Sequence, residues 1–167
     1  MQDTIFRAIK DEDFEQITEI IGRIWNIGVD YEREQMFGKV NGKSWDEWKV
    51  PEQIKFLKTH RDTAVVQVDD SDKVIGFASW IIHRSRNIGE VTANGIHPGY
   101  TGKGLGSRQL QYVLERLRES GVDLIEVSTG LNDGHIPARK MYEKAGFKPL
   151  FSTVHYGMRA EKEDKAK

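Results

Sequence analysis

The spacing of hydrophobic residues changes along the chain, and near the N-terminus it is helical. Apolar side chains there recur every three or four positions and form one stripe of a predicted helix: Phe14, Ile17, Ile21 and Ile24. Asp11 and Asp13 precede the stripe and are expected to cap it. A capping-box pattern at residues 44–47 predicts a second helix from Trp45, and Pro51 is expected to interrupt it or to begin a new turn.

The middle of the chain has the composition of β-strands. Segments 63–68 and 73–83 are rich in Val, Ile, Phe and Trp, and the polar cluster 69–72 separates them. A second polar connector, 84–87, precedes a third predicted strand over about 88–96. Short connections join strands that are antiparallel neighbours. The sequence therefore predicts a three-stranded antiparallel meander.

Beyond the meander, helical and strand patterns alternate. An apolar stripe at 110–117 predicts a helix, 123–128 a short buried strand, Pro137 to Gly146 a further helix, and Leu150 to Arg159 a closing strand. A meander followed by such a unit is typical of an α/β fold. We expect a mixed, mostly antiparallel central sheet with helices on both faces.

Composition narrows the class of protein. The 167 residues include 25 basic and 26 acidic side chains, a net charge of −1 and no cysteine, which excludes disulfides and thiolate chemistry and argues against a nucleic-acid partner. Because no segment approaches the roughly 20 apolar residues of a membrane span and no signal peptide is apparent, we expect a cytoplasmic protein without a membrane partner. A single domain over residues 1–160 and a charged, disordered tail over 161–167 are predicted.

Residues 96–107 join a predicted strand to a predicted helix and contain four glycines. Glycine lets backbone N–H groups approach a ligand closely, and the helix start that follows favours phosphate oxygens. The spacing of Gly102, Gly104 and Gly106 fits neither a Walker A loop nor a dinucleotide fingerprint. Two interpretations remain at this point, a phosphate-binding loop and a flexible connection before a capped helix.

The stretch from Glu90 to Phe147 resembles the core of the GNAT-type N-acetyltransferase superfamily. Residues 101–106, preceded by Ile-His-Pro, are similar to its acetyl-CoA loop, and residues 138–147 to its Ala-x-x-x-Tyr-Glu-Lys-x-Gly-Phe signature. The resemblance implies a GNAT-like acyl-CoA N-acyltransferase fold. It also implies acetyl-CoA as co-substrate, with direct transfer of the acetyl group to an amine.

The resemblance also implies which residues bind acetyl-CoA. They are Ile96, His97, Thr101, Gly102, Lys103, Gly104, Leu105, Gly106, Ser107, Asn132, His135 and Ala138. Two positions depart from the family pattern: Thr101 stands where Arg or Gln is usual, and His135 where Asn often contacts the pantetheine arm. Lys103 is a candidate substitute for the missing Arg or Gln. Asn132 lies near His135 in sequence but is out of register for the contact that the family's Asn makes.

Acetyl transfer requires an amine without its extra proton. Near pH 7 a lysine-like amine is ~3.4 pKa units too protonated, which costs ~4.6 kcal/mol. By resemblance, Glu90 is the candidate base and Tyr142 the candidate donor to the departing sulfur; the alternatives are a surface glutamate and a core tyrosine. Glu126 is a weaker candidate, with a surface or ion-pair role as its alternative.

The strand that begins near Glu90 has an unusual pattern. Thr92 and Asn94 are expected to share a polar face of this strand with Glu90, and Asn94-Gly95 suggests a bulge. In the family a bulge here opens the sheet for the pantetheine arm. It also turns an N–H, near Gly95 or Ile96 in this chain, toward the thioester oxygen.

The remaining expectations concern partners. The histidines lack metal-binding spacing, so no metal is expected. The acceptor is expected to be a small-molecule or peptide amine; acidic residues in segment 25–36 either attract it or form a solvated charged loop. A homodimer is possible through residues 150–158. An acyl-CoA-binding sensor without catalysis and, third, an NAD-dependent enzyme remain alternatives.

Overall fold

A computed structural model describes residues 4–160. Five strands and five helices of this part are β1 Ile5–Ala8, α1 Asp13–Ile24, α2 Val29–Phe37, α3 Trp45–Thr59, β2 Ala64–Val68, β3 Val74–His83, β4 Ile88–Ile96, α4 Leu105–Glu119, β5 Leu124–Val127 and α5 Ile136–Lys144. The strands form one sheet in sequence order, antiparallel except for the parallel pair β4–β5. In the described part, every helix is too short or too polar to cross a bilayer.

Helices cover both faces of the sheet, as the sequence predicts. On one face α1 and α3 pack against Val66 and Phe77, and on the other α4 packs against Ala78 and Trp80. Alternate residues of β2 and β3 therefore enter opposite cores, which is why these strands read as nearly continuous apolar runs. The predicted mixed α/β class is confirmed.

Helix α1 buries its predicted stripe, but the predicted caps are wrong. Glu12 occupies the N-cap position without a side-chain capping bond, and Asp13 is the first helical residue. The carboxylate of Asp13 is buried and accepts hydrogen bonds from the Arg7 guanidinium at 2.7 and 2.9 Å and from the amide of Lys10 at 2.7 Å. This carboxylate therefore links α1 to β1 through Arg7 and does not cap the helix.

The predicted start of α3 is confirmed, whereas the predicted break is wrong. The amide of Ser44 donates to the Glu47 carboxylate at 2.7 Å, forming the capping box. The helix then continues through Pro51 to Thr59. Proline removes one helical hydrogen bond, and burial of the inner face, with Leu57 fully enclosed, offsets that loss.

Strand β4 has the predicted bounds but its bulge lies elsewhere. Ser79 of β3 faces Ala93, and the next residue, Trp80, faces Val91, so Thr92 is the extra residue. A bulge reverses the alternation of side chains. Val91 accordingly joins the α4 core and Ala93 the α1 core. The predictions of a bulge at 94–95 and of a face that residue 94 shares with residue 90 are both wrong.

The predicted closing strand is also wrong. Residues 148–160 contain neither helix nor strand. Their large apolar side chains are exposed: Leu150, Phe151, Val154, Tyr156 and Met158. Alternation alone does not make a strand without a partner edge; here Arg159 donates to the carbonyl of Phe37, which holds the segment against α2. The predicted tail, 161–167, lies outside the described residues.

Candidate active site

Strands β4 and β5 part at the bulge. Their parallel pairing joins residues 88–91 to 124–127 and stops there, while β4 continues to Ile96. The last five residues of β4 consequently border a gap on the side away from β3. This gap opens into a cavity of about 520 Å³.

The cavity has walls on both faces of the sheet. On one side it is lined by Trp25, which directly follows α1, and by Lys49 and Gln53 of α3. Residues of α4 and α5 line it on the other, including Gly106 and Tyr142. The gap between β4 and β5 is thus a passage through the sheet, with a separate approach from each face.

The glycine-rich connection before α4 presents unpaired amides. In residues 4–160, none of the amides at 102–107 donates a hydrogen bond to the protein; the first helical bond runs from Arg108 to the carbonyl of Gly104. Gly102 and Gly104 have φ values of 76° and 78°, which a side chain would disfavour. Leu105 is buried and anchors the helix start. Six consecutive amide donors without an acceptor in the described part of the protein suit an anion with several oxygens.

Side chains of the connection shape the turn. The hydroxyl of Thr101 donates to a carbonyl three residues earlier at 2.9 Å, and Nδ1 of His97 accepts from the amide of Gly99 at 3.1 Å. The ammonium of Lys103 lies 5.3 Å from the centre of the Tyr100 ring. Of these residues, Thr101 lines the cavity.

The backbone of Ile96 faces the gap. The amide of His97 donates to the carbonyl of Ile75 at 2.8 Å, and Gly76 pairs with Ile96 in register. In an antiparallel ladder this makes Gly76 and Ile96 a non-hydrogen-bonded pair, whose N–H and C=O groups point away from each other. The N–H of Ile96 is therefore directed toward the gap, as is that of Asn94 two residues earlier.

Gln109, which the sequence analysis did not identify, ties α4 to this part of β4. Its buried Nε2 donates to Oδ1 of Asn94 at 2.5 Å, to the carbonyl of Phe77 at 2.8 Å and to that of Gly95 at 3.2 Å. The sequence contains one indication that Gln109 is buried. The residues four positions before and after Gln109 are Leu and Val, and both are buried. A glutamine between them faces the core.

Tyr142 of α5 lines the cavity, with its ring 5.8 Å from that of Phe147 and edge-on to it. Burial raises the pKa of the Tyr142 phenol above its usual value. The hydroxyl is therefore protonated at neutral pH and is a hydrogen-bond donor.

The segment between β5 and α5 brings two more predicted residues together. Oδ1 of Asn132 contacts Nδ1 of His135, and Nδ2 of Asn132 donates to the carbonyl of Ile27 at 2.8 Å. His135 and Ala138 line the cavity. Burial and the nearby Arg139 lower the pKa of His135, so its imidazole is neutral near pH 7. Asn132 holds the segment against the α1–α2 connection.

Glu90 lies outside the described lining of the cavity, although the two residues after it belong to that lining. Its Oε2 is 2.8 Å from Nε2 of His83, and it pairs in register with Glu126 of β5. The structure does not bring Glu90 and Tyr142 together in one pocket. Within residues 4–160, His, Asp and Glu form no cluster of three that could hold a metal ion.

The acidic segment 25–36, for which a solvated charged loop is one of the two expectations, is largely helix α2. Asp30 lines the cavity and is bonded to Arg33 at 2.5 Å, and Glu34 accepts from the amide of Trp45 at 2.6 Å. Both carboxylates are thus engaged within the protein. The wall is completed by Lys49 and Gln53, which sequence reasoning missed because α3 was judged by its apolar positions alone.

Comparison with known proteins identifies the family of the chain. A model of the acetyltransferase (GNAT) family matches residues 17–147. Mycothiol acetyltransferase of Beutenbergia cavernae is 32% identical over 90 residues, which is 54% of this chain and 30% of that protein. The chain matches about a third of the length of such curated relatives.

Solved structures share the fold. PaiA N-acetyltransferase from Thermoplasma acidophilum, in complex with coenzyme A, superposes with a TM-score of 0.66 at 20% identity over 90% of this chain and 93% of that one. AAC(6')-Iy, in complex with the bisubstrate analog CoA-S-monomethyl-acetylneamine, gives 0.63 at 13% identity over 95% and 99%. The family match, supported by these neighbours, establishes that the chain belongs to the acetyltransferase (GNAT) family.

Proposed function

We propose that this protein is an acetyl-CoA-dependent N-acetyltransferase that moves the acetyl group directly to a primary amine in a ternary complex. One observation carries the proposal: the unpaired amides of residues 102–107 lie beside a passage through the sheet. The amides and the start of α4 bind the diphosphate of the co-substrate. Backbone donors suffice for this, so the absence of Arg or Gln at Thr101 is tolerated.

The shape of the passage fits a narrow chain attached to that diphosphate. Gly106, in the first turn of α4, lines the cavity, and a β-carbon there would lie 3.5 Å from the sulfur of Met141 and 3.6 Å from a side-chain carbon of Ile96. Glycine leaves that space to the pantetheine arm. The arm then runs between β4 and β5 and brings the thioester to the middle of the sheet. Complexes of two structural neighbours with coenzyme A or a bisubstrate analog support this placement.

The groups at the gap match the charges that develop in acyl transfer. The amine nitrogen attacks the acetyl carbonyl carbon, and the N–H of Ile96 stabilises the oxygen as it becomes negative. The C–S bond then breaks, and the sulfur keeps its electron pair. The phenol of Tyr142 donates a hydrogen bond to the thiolate and transfers its proton to the sulfur, and a proton from solvent then restores the phenol.

The amine must lose two protons in all, one before the attack and one after it. We assign both to Glu90, acting through water, with His83 as the next acceptor at 2.8 Å. Glu90 directly precedes Val91 of the cavity lining but does not itself line the cavity, so water carries the proton from the amine to its carboxylate. A carboxylate with an adjacent imidazole passes protons to solvent readily.

The test combines binding with turnover. Isothermal calorimetry is expected to detect acetyl-CoA binding, and a panel of primary amines is expected to release free CoA thiol in proportion to acetylated product. Binding without amine-dependent release would replace the enzyme with a non-catalytic acyl-CoA sensor. No binding of acetyl-CoA, together with thermal stabilisation by NAD, would overturn both readings.

A further inference from the structure

One wall of the cavity carries hydrogen-bond donors that the proposed reaction does not use. Lys49 and Gln53 are one helical turn apart on α3, and both line the cavity. The Lys49 ammonium lies 5.5 Å from the centre of the Trp25 ring and, in residues 4–160, has no carboxylate within salt-bridge distance. Nε2 of Gln53 is buried and lacks an acceptor. A buried donor without a partner is unfavourable, so this amide is suited to a ligand oxygen.

The carboxylate of this wall is already paired with an arginine. Among the described lining residues Asp30 is the one carboxylate, and its Oδ1 accepts from Arg33 at 2.5 Å. It also lies in the first turn of α2, where the helix stabilises a negative charge. The wall therefore offers a free cation and a free amide donor, with no free anion. A second positive charge on the acceptor would be repelled here.

These donors are separate from residues 102–107, the proposed diphosphate loop. Trp25 packs on the α1 face of the sheet, whereas Gly106 and Tyr142 belong to the opposite face. An anion bound by Lys49 and Gln53 therefore approaches the gap from the other side and belongs to the acceptor.

We infer that the acceptor is a primary amine that also carries a carboxylate, which Lys49 and Gln53 bind while the amine reaches into the gap between β4 and β5. The inference rests on the proposed function and names its acceptor class. A lysine ammonium and an amide N–H together donate charge-assisted hydrogen bonds to two carboxylate oxygens. This is the opposite of the cationic acceptor that the acidic composition of segment 25–36 suggests.

Three series of primary amines with equal chain lengths test the inference. The far end is a carboxylate in the first series (ω-amino acids from glycine upward), a methyl group in the second and an ammonium in the third. At the best chain length, kcat/KM for the carboxylate series is expected to exceed both others by about tenfold or more. Equal rates, or a preference for either other series, would overturn the inference and leave the acetyltransferase proposal intact.

Substitutions locate the preference. Lys49→Met and Gln53→Leu are expected to raise KM for the carboxylate series about tenfold and to reduce its advantage over the methyl series. Lys55→Met, at an exposed position of the same helix, is the matched control and is expected to leave the preference unchanged. A preference that survives both cavity variants would overturn the assignment. If no series is acetylated, the inference fails, and thiol release with the wider panel of primary amines shows whether the proposed function fails with it.

Discussion

The side-chain amide of Gln109 donates a hydrogen bond to Oδ1 of Asn94 at 2.5 Å, joining α4 to the half of β4 that borders the gap. The same nitrogen contacts the carbonyl of Gly95 at 3.2 Å. That carbonyl belongs to the peptide unit whose N–H is that of Ile96. The helix that begins at the diphosphate loop therefore also fixes the amide assigned to the thioester oxygen.

Replacing Gln109 with methionine keeps its length but removes its donors. We expect Gln109→Met to lower kcat about tenfold with a smaller change in KM for acetyl-CoA, because the Ile96 amide loses its support. The loss of buried hydrogen bonds also lowers the free energy of unfolding by about 1–3 kcal/mol. Steady-state kinetics well below the melting temperature, with the exposed Gln111→Met as control, checks this positioning role. An unchanged kcat in folded Gln109→Met would remove it.

Tyr142→Phe removes the proposed donor to the thiolate and keeps the ring that packs on Phe147. We expect kcat to fall about a hundredfold and KM for acetyl-CoA to change little, since the donor acts after binding. Burial raises the pKa of Tyr142, so in the wild type any loss of activity from phenol ionisation begins only above the usual tyrosine range near pH 10. Full turnover in the variant would contradict this assignment.

Gly106→Val fills the space proposed for the pantetheine arm. A β-carbon fits at ordinary contact distances, so the fold is expected to tolerate the change, while the added methyl groups enter the cavity. We expect the Kd for acetyl-CoA to rise at least tenfold, measured by calorimetry. Gly22→Val, at an open position of α1, is the control with a normal Kd. Equal affinities in the two variants would place the arm elsewhere.

Asp13 predicts a pH dependence of stability. Burial by itself would raise its pKa, but hydrogen bonds from Arg7 and from the amide of Lys10 outweigh burial and lower it. The stabilisation is therefore complete above the unfolded-state pKa, near 3.9, and is lost as the pH falls through the lower folded value. Asp13→Asn is expected to cost about 2–3 kcal/mol at pH 7. Urea unfolding of both proteins should show this difference shrinking below about pH 4; a difference independent of pH would contradict the assignment.

The parts of the fold that depend on residues close together in sequence could be predicted. The bounds of β4 and the capping box of α3 follow from residues close together in sequence. The bulge at Thr92 could not, because its position depends on which residue of β3 each residue of β4 faces. The segment 150–159 has a strand's alternation, but its placement is decided by contacts with α2 far away in sequence.

The same distinction applies to the site. The glycine loop and the Tyr142 motif are continuous in sequence and were predicted. Gln109, Lys49 and Gln53 are isolated polar residues, and their relevance follows only from the cavity and the strand that they face. A single polar residue on a helix does not reveal from sequence that it faces a site, unless its neighbours three or four positions away are apolar residues of the buried face.

The most direct test of the central claim is an NMR titration of ¹⁵N-labelled protein with acetyl-CoA, followed at assigned backbone amides. If the loop binds the diphosphate and the gap receives the thioester, the largest shifts occur at residues 102–107 and at Ile96. Saturable binding that leaves those amides unmoved, with shifts confined to another surface, would contradict the account.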